Sequence, residues 1–270
     1  MLKSIWHSAA IVAAGLSLLA PSLAHARTLD QILSSKKLVV GVNPTLPPLG
    51  EFNDKNEIVG FDVELSKKLA DMLGVELEIV KVGSPDRVPF VAIGKVDYVM
   101  GGMTRTPDRA KVIDFTVPVI TEALSVLTTV AKPYNSWKDL DSADIKLVQV
   151  RGTTPIDFIK KNLPKAQVLL LDNYPDVIRA LAQGRGDAMI DVINYMGQYM
   201  KNYNVNWKVL KDPIGEVDFD CLGVAKGNDS LRYWLNVALF SLEESKFIPD
   251  TYKKWFGADM MVPIKASPYF

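Results

Sequence analysis

The side chains that most often carry out catalysis in proteins are scarce in this chain. Both histidines, His7 and His25, lie in the first 26 residues, which we expect to be removed, and the single cysteine is Cys221. A chain without histidine cannot carry Ser-His-Asp or Cys-His chemistry and lacks the commonest transition-metal ligand. A lone cysteine cannot form an internal disulfide, and a small buried apolar role suits it better than nucleophilic attack. We therefore predict neither a metal site nor a cofactor.

Residues 1–26 have the pattern of a secretory signal peptide. Lys3 supplies a positive charge, residues 9–23 are mostly Ala, Leu, Ile and Val, and Ala24-His25-Ala26 is a small-x-small cleavage site. The apolar stretch is too short to span a bilayer comfortably, and no later stretch approaches that length. We predict cleavage after Ala26 and export from the cytoplasm. A retained membrane anchor is the alternative interpretation.

Length and charge narrow the class of protein further. Cleavage after Ala26 would leave 270 − 26 = 244 residues, which is enough for one large domain or two small lobes. The 31 Lys and Arg residues are matched by 31 Asp and Glu residues. A nucleic-acid partner would need a basic face or a strong positive excess, so we predict none.

Strand and helix patterns alternate along the chain, and the same order occurs twice. The predicted strands are residues 37–42, 77–82, 98–100, 146–150, 168–171 and 188–190. The predicted helices are residues 61–73, 86–93, one that begins at Thr154, and 174–183, with a helix-rich segment at 230–254. Two β-α-β series predict two α/β lobes with parallel sheets. Ligands bind beyond the carboxyl ends of such strands, so a cleft between the lobes is the predicted site.

Several short motifs, in this order, resemble one family of proteins. They are Gly60-Phe-Asp-Val-Glu-Leu65, Arg87-Val-Pro89, Gly94-Lys-Val-Asp97, Thr104-Arg-Thr-Pro-Asp-Arg109, Arg151-Gly-Thr-Thr154 and Tyr252-Lys-Lys-Trp-Phe-Gly257. The ordered set spans residues 35–257 and resembles the polar amino-acid family (family 3) of periplasmic solute-binding proteins of ABC importers. Any one motif is weak, but the order and spacing are specific.

The resemblance implies a fold, a partner and a place in the cell. The expected fold is a type II α/β binding protein whose two lobes are joined by hinge-crossing strands near residues 121–124 and 219–223. Lobe one would comprise residues 27–120 and 224–270, and lobe two residues 125–218. The implied role is to capture an amino acid or related carboxylate in the periplasm, as a monomer, and to deliver it to an inner-membrane ABC permease.

The resemblance also assigns residues to one half of the binding site. In the family, the arginine at the position of Arg109 binds the ligand carboxylate, a task suited to a planar guanidinium that donates two charge-assisted hydrogen bonds. The Thr104 hydroxyl and main-chain groups near Gly102 hold the same ligand. Thr154 begins a helix, where free N–H groups attract a carboxylate. A simple helix cap is the alternative for Thr154.

The other half of the expected site departs from the family pattern. The family acid that binds the ammonium group falls at Val192, whereas Asp191 lies one residue earlier, and a shift of one residue on a strand turns the side chain to the opposite face. Either a local bulge returns Asp191 to the cleft or the ammonium partner is missing. The aromatic walls of the family correspond to Leu46 and Ser84, so the pocket is expected to be wider or to suit an unusual ligand.

Some alternatives stay open from the sequence alone. Asn43 and Arg151 are further candidates at the cleft edge, although loop capping and surface charge are the simpler explanations for them. An enzyme on the same fold, similar to a periplasmic cyclohexadienyl dehydratase, would need a proton-handling carboxylate such as Asp191 or Glu216. A sensor domain is a third interpretation, but such proteins carry a membrane span and a signalling module.

Overall fold

A computed structural model describes residues 26–201, 203–210 and 214–267, apart from the side chain of Glu216. The predicted signal peptide therefore lies outside the described residues except for Ala26, and so does the side chain proposed as one alternative acid. Within the described ranges, no helix is both long enough and apolar enough to cross a membrane.

The strands and helices follow the predicted alternation closely. The strands are β1 (Lys37–Val42), β2 (Glu51–Phe52), β3 (Ile58–Val59), β4 (Glu76–Lys81), β5 (Tyr98–Val99), β6 (Ile113–Thr129), β7 (Lys146–Val150), β8 (Gln167–Leu171), β9 (Met189–Val192), β10 (Trp207–Val209) and β11 (Ile214–Ala225). The helices are α1 (Leu29–Ser35), α2 (Phe61–Leu73), α3 (Arg87–Ala92), α4 (Pro107–Ala110), α5 (Pro155–Asn162), α6 (Tyr174–Ala182), α7 (Ile193–Lys201), α8 (Asp229–Glu244) and α9 (Phe247–Phe256).

Helix α2 shows why the apolar spacing in the sequence predicts a helix correctly. Phe61, Leu65 and Leu69 recur at helical spacing and are buried on one face. Gly74 ends the helix in the left-handed conformation, at φ 67°, which glycine adopts without steric cost. The helix covers the predicted residues 61–73 because local pattern and cap agree.

The helix-rich segment near the C-terminus is divided into α8 and α9. Leu231, Leu235 and Leu242 form the buried stripe of α8. The break between the two helices falls at Ser245 and at Lys246, whose φ of 66° is left-handed.

One large sheet passes through both halves of the molecule. Its strand order in the described residues is β10–β6–β11–β5–β1–β4, and β9 pairs with β6. β1 is parallel to β4 and β5, whereas β6 pairs antiparallel with β9, β10 and β11. β7 and β8 form a parallel pair, and a bridge between Leu147 and Ala188 brings them to the start of β9.

The long strands β6 and β11 connect the two groups of elements. The early part of β6 pairs with the late part of β11, beside β5. The late part of β6 pairs instead with β9 and β10. Both strands therefore leave one α/β lobe and enter the other. At the passage, Thr121 is opposite Phe219 and Ile120 is opposite Asp220.

Candidate functional site

The turn after β5 begins the segment that we call the motif loop, residues 101–109. Gly101 and Gly102 have φ of 80° and 67°, values that side chains with a Cβ rarely adopt. A Cβ on Gly101 would also lie 2.8 Å from Cβ of Asn43. The Asp62 carboxylate accepts a hydrogen bond from the Gly101 N–H at 2.6 Å. The turn therefore needs glycine both for its conformation and for its close packing.

The next part of the motif loop is held by the edge of β11. Thr104 forms a bridge with Asp220, and the N–H groups of Cys221 and Arg105 donate to the carbonyls of Met103 and Phe219 at 3.1 and 3.0 Å. Backbone pairing thus brings the Thr104 side chain beside the strands that connect the lobes. There its hydroxyl donates to Oε2 of Glu122 at 2.9 Å.

Arg109 extends from the short helix α4 across the cleft. Its Nη1 donates to the Thr104 carbonyl at 2.6 Å, and its Nη2 donates to the Gly152 carbonyl at 3.0 Å. Gly152 follows β7 and therefore belongs to the opposite lobe. Burial, with a smaller contribution from the charge of Arg87, lowers the pKa of Arg109 to about 10. The guanidinium is still charged at neutral pH and has donors left for an anion.

A second guanidinium, that of Arg87, is buried close to the first. It donates to the carbonyls of Gly101 and Gly102 in the motif loop, to Ser84 O at 3.2 Å and to Gly152 O at 3.3 Å. We did not predict Arg87 as a site residue. Its only sequence signal was its place in the motif Arg87-Val-Pro89, which says nothing about the direction of the side chain.

A small cavity lies between the lobes. Its lining combines residues from the motif loop, from β6, from β9 and from the starts of α5, α6 and α7. They are Arg87, Gly102, Thr104, Glu122, Thr153, Thr154, Pro155, Tyr174, Asp191, Val192 and Tyr195. The structure thus brings together four of the predicted residues, Gly102, Thr104, Thr154 and Asp191.

Thr154 is the residue before the first turn of α5, as predicted. Its hydroxyl makes no capping hydrogen bond, whereas the neighbouring Thr153 hydroxyl donates to the Val150 carbonyl at 2.7 Å. The Thr154 side chain is therefore not committed to the helix and is available at the cavity.

The other four predicted residues do not line the cavity. Arg109 lies beside it, hydrogen-bonded to the Thr104 carbonyl, and Asn43, Leu46 and Ser84 support its wall. The Asn43 amide donates to the Ser84 hydroxyl at 3.2 Å, and its Oδ1 accepts from Thr45 N and Oγ1 at 3.0 and 2.8 Å. Leu46 packs against Gly102, since a Cβ built there would lie 3.2 Å from Cδ2 of Leu46. All three side chains are buried. Arg151, in contrast, is exposed and pairs with Asp172 at 3.1 Å.

Sequence reasoning missed two buried acids here: Glu122 lines the cavity, and Asp220 lies behind it against Tyr195. The Tyr195 hydroxyl lies 2.9 Å from Oε1 of Glu122 and 2.9 Å from Oδ2 of Asp220. One hydroxyl proton can serve only one acceptor, so the second contact needs a proton from a carboxyl group. Burial and the adjacent Glu122 raise the pKa of Asp220 well above its usual range. Asp220 is therefore the protonated partner, and Glu122 accepts from Tyr195 and Thr104.

The acid on β9 is Asp191, and the bulge considered in the sequence analysis is not observed. The β6–β9 register is regular from Met189 to Val192, so the described strand contains no bulge that would exchange Asp191 and Val192. Asp191 is buried, and its Oδ2 accepts from the Tyr199 hydroxyl at 2.9 Å. Burial raises the pKa of Asp191 to about 7. We call Glu122, Asp191 and Asp220 together the acid cluster.

Comparison with known proteins identifies the family. The family model for bacterial extracellular solute-binding proteins, family 3, matches residues 38–258. A glutamine-binding protein of an ABC transporter of Bacillus subtilis is 30% identical over 240 residues, which cover 86% of this chain and 85% of that protein.

Solved structures show the same architecture. A solute receptor for L-cysteine of Neisseria gonorrhoeae is 31% identical, with a TM-score of 0.80 over 85% of this chain and 93% of that one. An ancestral amino acid-binding protein, described as a precursor of cyclohexadienyl dehydratase, is 30% identical, with a TM-score of 0.79 over 84% and 99% of the two chains. These likenesses confirm the predicted two-lobed type II α/β fold.

Proposed function

The chain belongs to the bacterial extracellular solute-binding proteins, family 3, and we propose that its solute is an α-amino acid held in the cavity between the lobes. The observation that carries the proposal is the convergence of the motif loop and the start of α5 on one cavity. Arg109 and Arg87 both donate to the Gly152 carbonyl across the cleft. A ligand carboxylate would accept the same charge-assisted hydrogen bonds, with Thr104 and Thr154 beside it.

We further propose that the lobes close on the ligand by bending at β6 and β11. The proposed hinge is at residues 121–124 and 219–223, with lobe one at residues 27–120 and 224–270 and lobe two at residues 125–218. The register supports this division, because it shifts between Asp220 and Cys221 and again before Gly223. Irregular pairing resists bending less than a continuous ladder does.

The proposed setting is the periplasm, after cleavage at Ala26, with a monomer that delivers the amino acid to an ABC permease. The signal-peptide pattern of residues 1–26 supports export. The relatives described above support the amino acid as cargo, since one is named for glutamine and another for L-cysteine.

A thermal-shift screen of the purified protein against the common amino acids tests the proposal. An amino acid at about 100 times its Kd should stabilise the fold by about 2.7 kcal/mol, which raises the Tm by about 5–10 °C for a chain of this size. Arg109→Ala should abolish that rise. The matched control is Arg105→Ala in the same loop, where the guanidinium is exposed and lies over the Phe219 ring. An equal rise in Arg109→Ala and wild type would contradict the proposed carboxylate site.

The same fold could host an enzyme, and one structural relative is described as a precursor of a dehydratase. Asp191 has a raised pKa and lines the cavity, a combination suited to general acid catalysis. We propose a carrier rather than an enzyme, because the relatives that match over most of the chain are named as binding proteins or solute receptors and Asp191 is held by a hydrogen bond from Tyr199. Incubation with prephenate or arogenate should leave either compound unchanged, and product formation would favour the enzyme.

A further inference from the structure

The guanidinium of Arg87 lines the cavity, and that of Arg109 lies beside it on the Thr104 carbonyl. The strand position where an acid was expected holds Val192. An α-amino acid has an ammonium group one carbon away from its carboxylate, and in a closed cavity that charge needs a partner. The acid cluster offers three carboxyl groups for this role. Their hydrogen bonds distinguish them.

Asp191 and Asp220 are poor partners for a cation. Asp191 accepts a hydrogen bond from Tyr199, and burial keeps it partly protonated near neutral pH. Asp220 must supply the proton that its contact with Tyr195 requires, so it is the neutral member of the pair. Its Oδ1 has no partner among the described residues, which indicates that the group tolerates burial because it carries no charge.

Glu122 is the remaining acid of the cluster. It is 3% exposed and lines the cavity. Oε1 lies beside Tyr195 and Oε2 beside Thr104, so both oxygens accept from hydroxyl groups. None of the ion pairs in the described part of the chain includes Glu122. A buried carboxylate that faces a cavity without an ion-pair partner is costly until a cation arrives.

Thr104 sets the spacing between the two ends of the ligand. Arg109 donates to the Thr104 carbonyl at 2.6 Å, and the Thr104 hydroxyl donates to Glu122 at 2.9 Å. The guanidinium and the carboxylate are thus separated by a single residue. A group that accepts from the guanidinium and a cation that contacts the carboxylate would therefore lie on neighbouring sides of Thr104.

We propose that Glu122, on the strand that connects the lobes, binds the α-ammonium group of the ligand in place of the missing acid at Val192. Asp220 is a positioning residue, because its proton holds Tyr195 toward Glu122. The site would then select zwitterionic α-amino acids over the corresponding plain carboxylates. This inference rests on the proposed function.

Paired ligands test the proposal by calorimetry. The probes are L-cysteine with 3-mercaptopropanoate and L-glutamine with 4-carbamoylbutanoate, each pair differing only in the ammonium group. The wild-type protein should bind the amino acid at least about 30-fold more tightly than the analogue that lacks the ammonium group. This is the magnitude expected for a buried charge pair. Glu122→Gln should remove most of that preference and leave the affinity for the analogue within about twofold. The matched control is Glu78→Gln, at an exposed carboxylate paired with Lys37, and it should keep the preference unchanged. Asp191→Asn is measured beside it as the rival acid.

A rescue variant separates a binding role from a structural one. Glu122→Gln combined with Val192→Asp restores an acid at the β9 position and should regain at least about a third of the lost preference on a logarithmic scale. If Glu122→Gln does not fold, Glu122→Asp keeps the charge but shortens the side chain, and it should lower the preference by about three- to tenfold.

The failures are distinguishable. If neither amino acid nor any other α-amino acid binds wild type, the proposed function fails and this inference falls with it. If an amino acid binds and Glu122→Gln keeps the wild-type preference, only the role of Glu122 is overturned. A preference lost in Asp191→Asn but not in Glu122→Gln would assign the ammonium site to Asp191 instead.

Discussion

The two sides of the cavity, the motif loop and the acid cluster, are built by different means. The motif loop is held through its backbone. The Gly101 N–H donates a hydrogen bond to Asp62, and the carbonyls of Gly101 and Gly102 accept hydrogen bonds from Arg87. The acid cluster is held by hydrogen bonds between side chains. The Tyr195 hydroxyl contacts both Glu122 and Asp220, and the Tyr199 hydroxyl donates to Asp191. One side is a contiguous sequence motif, and the other draws on three strands far apart in the chain.

This difference explains which side of the cavity can be recognised by likeness to the family. A backbone-held loop needs particular glycines and threonines at fixed spacing, so its sequence is diagnostic. A side-chain network needs only that complementary groups meet in space, so its members can move from strand to strand. We expect the carboxylate side to resemble the family and the ammonium side to be particular to this chain.

The strongest way to break the motif loop is Arg87→Met. The change leaves several carbonyls without their buried donor, so we expect the free energy of unfolding to fall by about 3 kcal/mol. Urea denaturation without ligand measures it. The exposed Arg105→Met should lose less than about 0.5 kcal/mol. A loss below about 1 kcal/mol for Arg87→Met would show that the loop does not depend on this guanidinium.

Closure of the lobes can be tested at Gly152, where the two sides approach. A Cβ at Gly152 would lie 2.7 Å from Cα of Pro85 across the cleft, whereas a Cβ at Gly184 would meet nothing within 4 Å. Both glycines have positive φ, 79° and 69°, so the local strain is matched. Gly152→Ala should weaken amino-acid binding at least about 30-fold, or about 2 kcal/mol, and Gly184→Ala should leave it unchanged. Equal affinities would contradict closure at this point.

The acid cluster should give the stability a pH dependence that the motif loop arginines do not. Burial raises the pKa of Asp191 to about 7, so between about pH 4 and pH 7 the folded state holds a proton that the unfolded state has released. The free energy of unfolding should therefore fall as the pH rises through this window, by up to about 1.4 kcal/mol per pH unit for each such group.

Asp191→Asn should make that slope less steep. Asp62, whose pKa burial also raises to about 7, contributes a similar slope in both proteins, and exposed Asp172→Asn is the control. Urea denaturation at pH 5, 6 and 7 without ligand provides the comparison. A slope unchanged by Asp191→Asn would mean that Asp191 is already ionised in the folded protein at pH 5.

The smallest effect is expected outside both sides of the cavity, at Arg151. Its pair with Asp172 joins two exposed side chains, and such pairs contribute little because water screens them. Arg151→Ala should change stability by less than about 0.5 kcal/mol and amino-acid affinity by less than about twofold. Calorimetry with the ligand found in the screen checks this. A tenfold loss of affinity would show that Arg151 contributes to the binding site at the cleft edge.

Much of the fold was predictable from local pattern. α2 and β1 match the predicted residues 61–73 and 37–42 because apolar spacing and terminating residues agree there. The ordered motifs predicted the family, and the comparisons confirmed it. The break at Lys246 was not predicted, because the sequence carries no signal for a lysine that adopts the left-handed conformation.

Local sequence patterns were enough to predict the family, the order of strands and helices, and the candidate residues of the motif loop. These follow from short-range rules, since glycine conformation, helix caps and apolar spacing act between neighbours in the chain. Only the tertiary structure decided that Arg87 reaches Gly152, that Tyr195 lies between Glu122 and Asp220, and that Asp191 is held by Tyr199. Glu122 and Asp220 are 98 positions apart in the printed sequence and meet only because β6 and β11 pair, so their common contact with Tyr195 arises from long-range packing.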